Sequence, residues 1–161
     1  MSLKKGDKAP EFTLKDHLGN DHSLKDYLGK KVVLYFYPKD DTPGCTDEAL
    51  QFKDLYEEFK ENDVVILGIS KDSEKSHQKF IDKYELPFLL LSDPEIEAIN
   101  NYGVWALKNK FGKEYYGILR STFIIDEEGI IKDVFLNVKV KNHGDEVKKC
   151  ILSTWYESRD L

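Results

Sequence analysis

The chain has 161 residues, of which 40% are hydrophobic and 34% charged, a composition typical of one globular domain and not of a disordered chain. The formal net charge is -6, and acidic and basic residues are interspersed, which argues against a nucleic-acid-binding protein. Two cysteines and four histidines, without zinc-site spacing, exclude a disulfide scaffold and predict no metal site.

The first predicted elements are a strand and a helix joined by a tight turn. Residues 32–37 form a continuous apolar and aromatic run, which indicates a central strand buried on both faces and is far too short to cross a bilayer. Pro38 ends the strand, and residues 39–44 are rich in turn formers. From Thr46 the apolar residues recur with helical spacing. The N-terminus lacks the apolar stretch of a secretory signal, so we expect a cytoplasmic protein that does not associate with membranes.

The middle of the chain continues the alternation of strands and helices. Residues 64–70 read as a second buried strand, and residues 73–84 as a helix with Ser73 as its N-cap. A third short strand is predicted over 88–91. The residues from Asp93 onward have a helix-start signature, which predicts a helix that runs to about residue 102.

The last third predicts a hairpin and a terminal helix. Strand-like residues 122–125 and 130–136 flank a polar turn, so they should pair antiparallel. Residues 143 to about 158 form an amphipathic pattern with Trp155 on its apolar face. The order of elements predicts a single α/β domain over residues 1–161, a mixed central β-sheet flanked by helices in a three-layer sandwich, which fits a thioredoxin-like arrangement.

Cys45 stands out from the ordinary buried cysteine because its neighbours favour a thiolate. It follows a turn and opens a predicted helix, where unpaired backbone N–H groups and the helix dipole favour an anion. Pro43 and Gly44 can let backbone amides approach the sulfur, and the Thr42 hydroxyl is within hydrogen-bonding reach of it. A thiolate is the form of cysteine that attacks electrophiles. These residues alone favour a reactive Cys45 only slightly, since proline and glycine mark any loop.

The segment from Tyr37 to Glu48, YPKDDTPGCTDE, resembles the active-site motif of peroxiredoxins, most closely the bacterioferritin comigratory protein (PrxQ) subfamily. Further family-like segments cover nearly the whole chain in order, at residues 6–12, 90–93, 102–105, 120–126 and 138–147. The resemblance implies a peroxiredoxin version of the thioredoxin fold. It also implies an antioxidant peroxidase that serves cell redox homeostasis by reducing hydrogen peroxide and small organic hydroperoxides.

The resemblance assigns roles to four residues. Cys45 would be the peroxidatic nucleophile, and its oxidation would give a sulfenic acid. Thr42 would orient the peroxide, Arg120 would stabilise the thiolate and the leaving oxygen, and Pro38 would shield the pocket. Only the family pattern singles out Arg120. Glu48 also matches a subfamily position and could bridge to a nearby base, but we expect it to be a solvated helix residue. We expect Asp40 and Asp41 to be solvated as well.

The chain departs from the family where the oxidised cysteine is usually resolved. The two positions that carry a resolving cysteine in many relatives hold Leu50 and, by alignment, Ile81. Two routes stay open: an external thiol attacks Cys45, or Cys150 acts as an unusual resolving residue. We prefer the first, a one-cysteine mechanism, because a cysteine beside the apolar face of the terminal helix is typical of an inert packed thiol.

The implied partners are a peroxide and a thiol reductant, either thioredoxin, glutaredoxin or glutathione, and the chain is expected to be a monomer or a weak homodimer. No glycine-rich nucleotide motif occurs, so no cofactor is expected. A thioredoxin-like disulfide oxidoreductase is a weaker reading because the sequence has no CxxC pair. A non-catalytic thioredoxin-fold binding or holdase module is weaker still because it would not need Thr42, Cys45 and Arg120 together.

Overall fold

A computed structural model describes the backbone of residues 2–159 and the side chains of residues 2–152. Over this range the chain forms a seven-stranded mixed sheet, a separate two-stranded ribbon, four α-helices and a short 3₁₀ turn at Leu24–Tyr27. The strands are β1 (Thr13–Lys15), β2 (Asp21–Ser23), β3 (Lys31–Phe36), β4 (Val64–Ser70), β5 (Leu89–Ser92), β6 (Trp105–Lys110), β7 (Lys113–Ile118), β8 (Ser121–Ile125) and β9 (Ile131–Phe135). The helices are α1 (Pro43–Glu61), α2 (Glu74–Tyr84), α3 (Glu97–Asn101) and α4 (His143–Arg159).

The central strand β3 organises the sheet, whose strand order is β2-β1-β5-β4-β3-β8-β9. It pairs parallel with β4 and antiparallel with β8. In the antiparallel register Phe36 lies opposite Ser121, so the carboxyl end of β3 meets the beginning of β8. This register brings the loop before α1 close to the residue that precedes β8, although 75 positions of sequence separate Cys45 from Arg120.

Alternate residues of β3 enter two different cores, which explains its unbroken apolar run. Val33 and Tyr35 pack with side chains from α1, α2 and α4 on one face of the sheet, including Phe52. Leu34 and Phe36 pack on the other face with the N-terminal segment and α3. The sheet therefore lies between two helical layers, as the sequence predicted.

Most predicted elements are confirmed, and two are corrected. Helix α1 begins at Pro43, three residues earlier than the start at Thr46 that the apolar spacing predicted. Helix α3 begins only at Glu97, because Ile96 adopts a left-handed conformation. The carboxylate of Asp93 still serves this helix by accepting hydrogen bonds from the backbone N–H groups of Glu97 and Ile99. Strands β1 and β2 and the ribbon formed by β6 and β7 are additions that the sequence did not predict.

Among the described residues, no helix is long and apolar enough to cross a membrane. The terminal helix forms where it was predicted, from His143 onward. The predicted apolar position of Trp155 lies outside the described side chains.

Candidate active site

The first turn of α1 holds Cys45 at the end of β3. Thr42 is the N-cap with extended backbone, Pro43 is the first helical residue, and the N–H of Thr46 bonds to the Thr42 carbonyl at 2.8 Å. Proline suits this position because its missing N–H would have had no partner inside the helix. Cys45 is 1% exposed. Cys45 thus lies in the first turn of α1, where backbone N–H groups have no partner inside the helix, as the sequence predicted.

Arg120 directly precedes β8, the strand that pairs antiparallel with β3, and it reaches the Cys45 sulfur from there. Its Nη2 donates a hydrogen bond to Sγ of Cys45 at 3.3 Å. The guanidinium passes close over Gly44, where an added Cβ would lie only 3.1 Å from Nη2. Glycine at this position thus leaves the space that the arginine occupies.

Glu48 anchors the other end of the same guanidinium, so the expectation that it is solvated was wrong. It is 1% exposed, and its Oε1 accepts a hydrogen bond from Nη1 of Arg120 at 2.7 Å. Burial raises the pKa of the Glu48 carboxyl to about 7, against the opposing effect of Arg120. The pKa of Arg120, which burial alone would lower, is raised by the negative charges of Glu48 and Cys45.

Thr42 and Pro38 lie in the segment that connects β3 to α1, the helix that carries Cys45. The Thr42 hydroxyl donates to the carbonyl oxygen of Lys39 at 2.8 Å. With its hydrogen committed there, the oxygen keeps lone pairs that can accept a hydrogen bond from a ligand. Pro38 is half-buried directly after β3. All four predicted site residues thus belong either to the strand-to-helix turn or to the segment that enters β8.

A second buried network lies beneath the same turn, and it corrects the expectation for Asp40. This carboxylate is 8% exposed and accepts hydrogen bonds from the hydroxyls of Tyr37 at 2.5 Å and Ser76 at 2.8 Å. Its Oδ2 lies 2.7 Å from Nδ1 of His77, a fully buried residue of α2. Asp41, by contrast, is exposed and pairs with Lys83, as expected.

Within the described residues, ligand atoms suited to a metal ion come together at Asp40, Asp72 and His77, all within 4.8 Å of one another. The three groups are already joined to the protein by hydrogen bonds: Asp72 accepts from the Asp40 N–H at 2.8 Å and from the Ser70 hydroxyl at 2.7 Å. These contacts fix the loop before Cys45 to strand β4 and helix α2.

The structure does not bring Cys150 near Cys45. Lys148, two residues before Cys150, forms an ion pair with Glu58 of α1 at 3.0 Å. Glu58 follows Cys45 by 13 residues on one helix, which corresponds to on the order of 20 Å along the helix axis. A disulfide requires Cα atoms within about 7 Å.

The surroundings of Cys150 also differ from those of a reactive thiol. Its Sγ donates a hydrogen bond to Oδ2 of Asp133 at 3.3 Å. Burial, together with the neighbouring carboxylate, raises the pKa of this thiol to about 12. A thiol that resolves a sulfenic acid attacks as the thiolate, and this environment disfavours that form.

Comparison with known proteins gives consistent matches. Residues 5–134 match the model of the AhpC/TSA family. Peroxiredoxin Bcp of Bacillus subtilis is 53% identical over 146 residues, covering 91% of this chain and 93% of the relative, and peroxiredoxin Bcp of Escherichia coli is 44% identical, covering 90% and 93%. Among solved structures, the bacterioferritin comigratory protein of Xanthomonas campestris superposes with a TM-score of 0.85 at 38% identity, covering 89% of this chain and 91% of the other.

Proposed function

Because the chain belongs to the AhpC/TSA family and, within it, to the Bcp/PrxQ peroxiredoxins, which are thiol-dependent peroxidases, we propose that Cys45 is the residue that attacks the peroxide. The observation that carries this assignment is the 3.3 Å hydrogen bond from Arg120 to the Cys45 sulfur at a helix N-terminus. The Xanthomonas relative is described for its alkyl peroxide reduction activity. We extend that activity to this chain, with hydrogen peroxide and small organic hydroperoxides as substrates.

The oxidation step transfers one oxygen to sulfur. The Cys45 thiolate attacks the terminal oxygen of the hydroperoxide, an S–O bond forms, and the O–O bond breaks. Cys45 becomes a sulfenic acid, and the leaving alkoxide or hydroxide takes up a proton to give an alcohol or water. Negative charge therefore moves from the sulfur to the leaving oxygen during the step.

The groups around Cys45 suit this movement of charge. The guanidinium of Arg120 is fixed by Glu48 at one end and bonded to the sulfur at the other, so it needs little rearrangement to stabilise the leaving oxygen as well. The Thr42 oxygen accepts the hydrogen bond of the hydroperoxide O–H and orients it for attack. Pro38 limits the access of water to the pocket.

We infer that an external thiol reduces the oxidised enzyme, by a one-cysteine mechanism. Attack of this thiol on the sulfenic acid releases water and leaves a mixed disulfide, and a second thiol restores Cys45 with release of the external disulfide. The distance and chemical surroundings of Cys150 support this route. Leucine and isoleucine at positions 50 and 81 support it too, since neither carries a thiol.

A trapping experiment tests the assignment. We expect wild-type protein treated with one equivalent of hydrogen peroxide, in the presence of a sulfenic-acid trap, to gain the mass of one adduct, and Cys45→Ser to gain none. A loss of two hydrogens without an adduct would instead indicate a disulfide with Cys150 and would overturn the one-cysteine mechanism. An adduct on Cys45→Ser would overturn the assignment of the nucleophile.

A further inference from the structure

The ribbon of β6 and β7 places a lysine beside the Cys45 site. Directly opposed residues of an antiparallel pair share a face, so Lys108 lies with its partner Tyr115, and with the pair Ala106 and Gly117, on one face of the ribbon. Lys108 is half-buried, whereas Lys110, two positions further toward the ribbon's tip on the same face, is exposed. Lys108 thus differs from Lys110 in having a partly buried side chain.

The stem of Lys108 runs toward the base of the ribbon. It passes over Gly117, where a Cβ would lie 3.5 Å from its Cδ and 3.8 Å from its Cε. Gly117 lies two residues closer than Tyr115 to the base of the ribbon, where Trp105 pairs with Ile118. The stem of Lys108 therefore runs away from the ribbon's tip. At the base the N–H of Leu119 bonds to the Val104 carbonyl at 2.7 Å, and Arg120 follows at once. The ammonium is therefore directed toward the arginine that holds the Cys45 sulfur.

The electrostatic surroundings of Lys108 agree with this direction. The pKa of Lys108 is lowered mainly by burial and also by the positive charge of Arg120. The negative charge of Cys45 acts in the opposite sense. Among the described residues, Lys108 forms none of the ion pairs or side-chain hydrogen bonds, in contrast to Arg120, which is paired with Glu48. A half-buried ammonium beside a second cation, without a carboxylate, is an unfavourable arrangement that an incoming anion would relieve.

We propose that the Lys108 ammonium and the Arg120 guanidinium form an anion-binding subsite that receives the carboxylate of a co-substrate as it approaches Cys45. The subsite makes Lys108 a specificity-determining residue. It favours co-substrates that carry a carboxylate over neutral ones of the same size, and it leaves the attack on neutral hydrogen peroxide largely to Cys45, Thr42 and Arg120. The proposal rests on the proposed function, since the subsite matters only if Cys45 reacts.

The carboxylate can arrive on either of two co-substrates. A hydroperoxide that carries one would be bound during the oxidation step, and a thiol reductant that carries one would be bound during the reduction of the sulfenic acid. The recognition chemistry is the same in both cases, so the two steps have to be measured separately.

The test compares acids with their methyl esters in each half-reaction. A tertiary alkyl hydroperoxide bearing a carboxylate and its methyl ester are each mixed with reduced protein, and the rate constants of Cys45 oxidation are measured by stopped flow. Mercaptopropionate and its methyl ester are each mixed with protein whose Cys45 has been oxidised to the sulfenic acid. The proteins are wild type, Lys108→Gln, Lys108→Arg and Lys110→Gln, the last being the matched control on the same ribbon face.

We expect the acid-to-ester rate ratio to fall by about fivefold in Lys108→Gln in at least one half-reaction, with most of the ratio kept in Lys108→Arg. The half-reaction that changes identifies the co-substrate. The ratio cancels any change in the amount of thiolate, because acid and ester meet the same sulfur. Added salt should reduce the wild-type ratio toward that of the variant.

Unchanged ratios in both half-reactions of Lys108→Gln would overturn the subsite, and so would an equal fall in Lys110→Gln, which would indicate only the general charge of the ribbon. The reaction of wild type with hydrogen peroxide separates the two levels of the argument. If wild type fails to react, the proposed function is wrong. If it reacts while the ratios stay constant, only the subsite is wrong.

Discussion

Glu48 binds Nη1 of Arg120 at 2.7 Å, which leaves Nη2 of the same guanidinium directed at the Cys45 sulfur. The carboxylate does not contact the reacting sulfur through any hydrogen bond of its own, so Glu48 acts through the arginine. The position of the cation depends on this ion pair, and under the proposed mechanism the stabilisation of the leaving oxygen depends on it too.

Replacing Glu48 by Gln keeps the size of the side chain and removes its charge. We expect the rate constant for oxidation of Cys45 by hydrogen peroxide to fall roughly ten- to hundredfold, because a cation displaced by even a fraction of an ångström stabilises the leaving oxygen poorly. Alkylation of Cys45 by iodoacetamide needs the thiolate but no leaving oxygen at Arg120, so it should fall less. Equal losses in both reactions would contradict a positioning role.

The pH dependence of stability offers a separate measurement on Glu48. Its pKa is raised from 4.5 to about 7 by burial, so the folded protein holds a proton that the unfolded chain has released between these pH values. The resulting stabilisation is fully present below about pH 4.5 and is lost as the pH rises to about 7. Glutamine does not titrate, so Glu48→Gln lacks this pH dependence. In urea unfolding, the free energy of unfolding of wild type should therefore fall relative to that of Glu48→Gln, by on the order of 3 kcal/mol, across this window. A constant difference would contradict the raised pKa.

Thr42 tests the orientation of the peroxide. Thr42→Val keeps the branched shape and loses the hydroxyl oxygen, so we expect oxidation of Cys45 to slow by about a hundredfold, while Thr42→Ser retains most of the rate. The hydroxyl forms no cap hydrogen bond to α1, so the helix itself should persist in both variants, as circular dichroism can verify. A valine variant with the serine variant's rate would rule out a role for the hydroxyl.

Cys150→Ser distinguishes the two routes of reduction. Since Cys150 lies far from Cys45 in a setting that disfavours its thiolate, we expect turnover of Cys150→Ser with an external thiol to match that of wild type. Loss of turnover with Cys45 oxidation preserved would show that Cys150 resolves the sulfenic acid, within one chain or between two.

Asp40 and Asp41 form a natural pair for testing the buried network. Asp40→Asn removes a charge that accepts hydrogen bonds from Tyr37, Ser76 and His77, and we expect a loss of about 3 kcal/mol in the free energy of unfolding. Asp41→Asn alters an exposed residue in the left-handed conformation, which asparagine tolerates, so its stability should change little. Similar effects of the two substitutions on urea unfolding would contradict a structural role for the network.

Strands β3, β4, β5, β8 and β9 and the main helices were predictable because apolar residues form continuous runs in the strands and recur with helical spacing in the helices. The apolar run of β3 fits a strand that faces two cores, and the helical spacing after Thr46 fits α1. The ribbon was missed because the side chains of β6 and β7 are exposed or half-buried over most of their length, so neither strand shows an apolar alternation. The ribbon forms because its two strands pair with each other, and not because they share an apolar face.

The candidate site was only partly predictable. Cys45 and Thr42 lie together in a local motif, but Arg120 is remote in sequence, and its place became visible only through the register of β3 with β8. The helical pattern itself carries a signal that Glu48 is buried. With Cys45, Ala49 and Phe52 it occupies the buried stripe of α1, and a lone charge on such a stripe indicates a buried partner. Only contact geometry could single out Lys108.

The register that delivers Arg120 to the sulfur also determines when, during synthesis, that sulfur acquires its cation. Arg120 leaves the ribosome 75 positions after Cys45, and it reaches the site only when β8 has paired with β3. A nascent chain that ends before this point carries the cysteine without its arginine, as an ordinary thiol that reacts slowly with oxidants. Under the proposed mechanism, we therefore expect Cys45 to gain its full reactivity only once β8 has paired with β3.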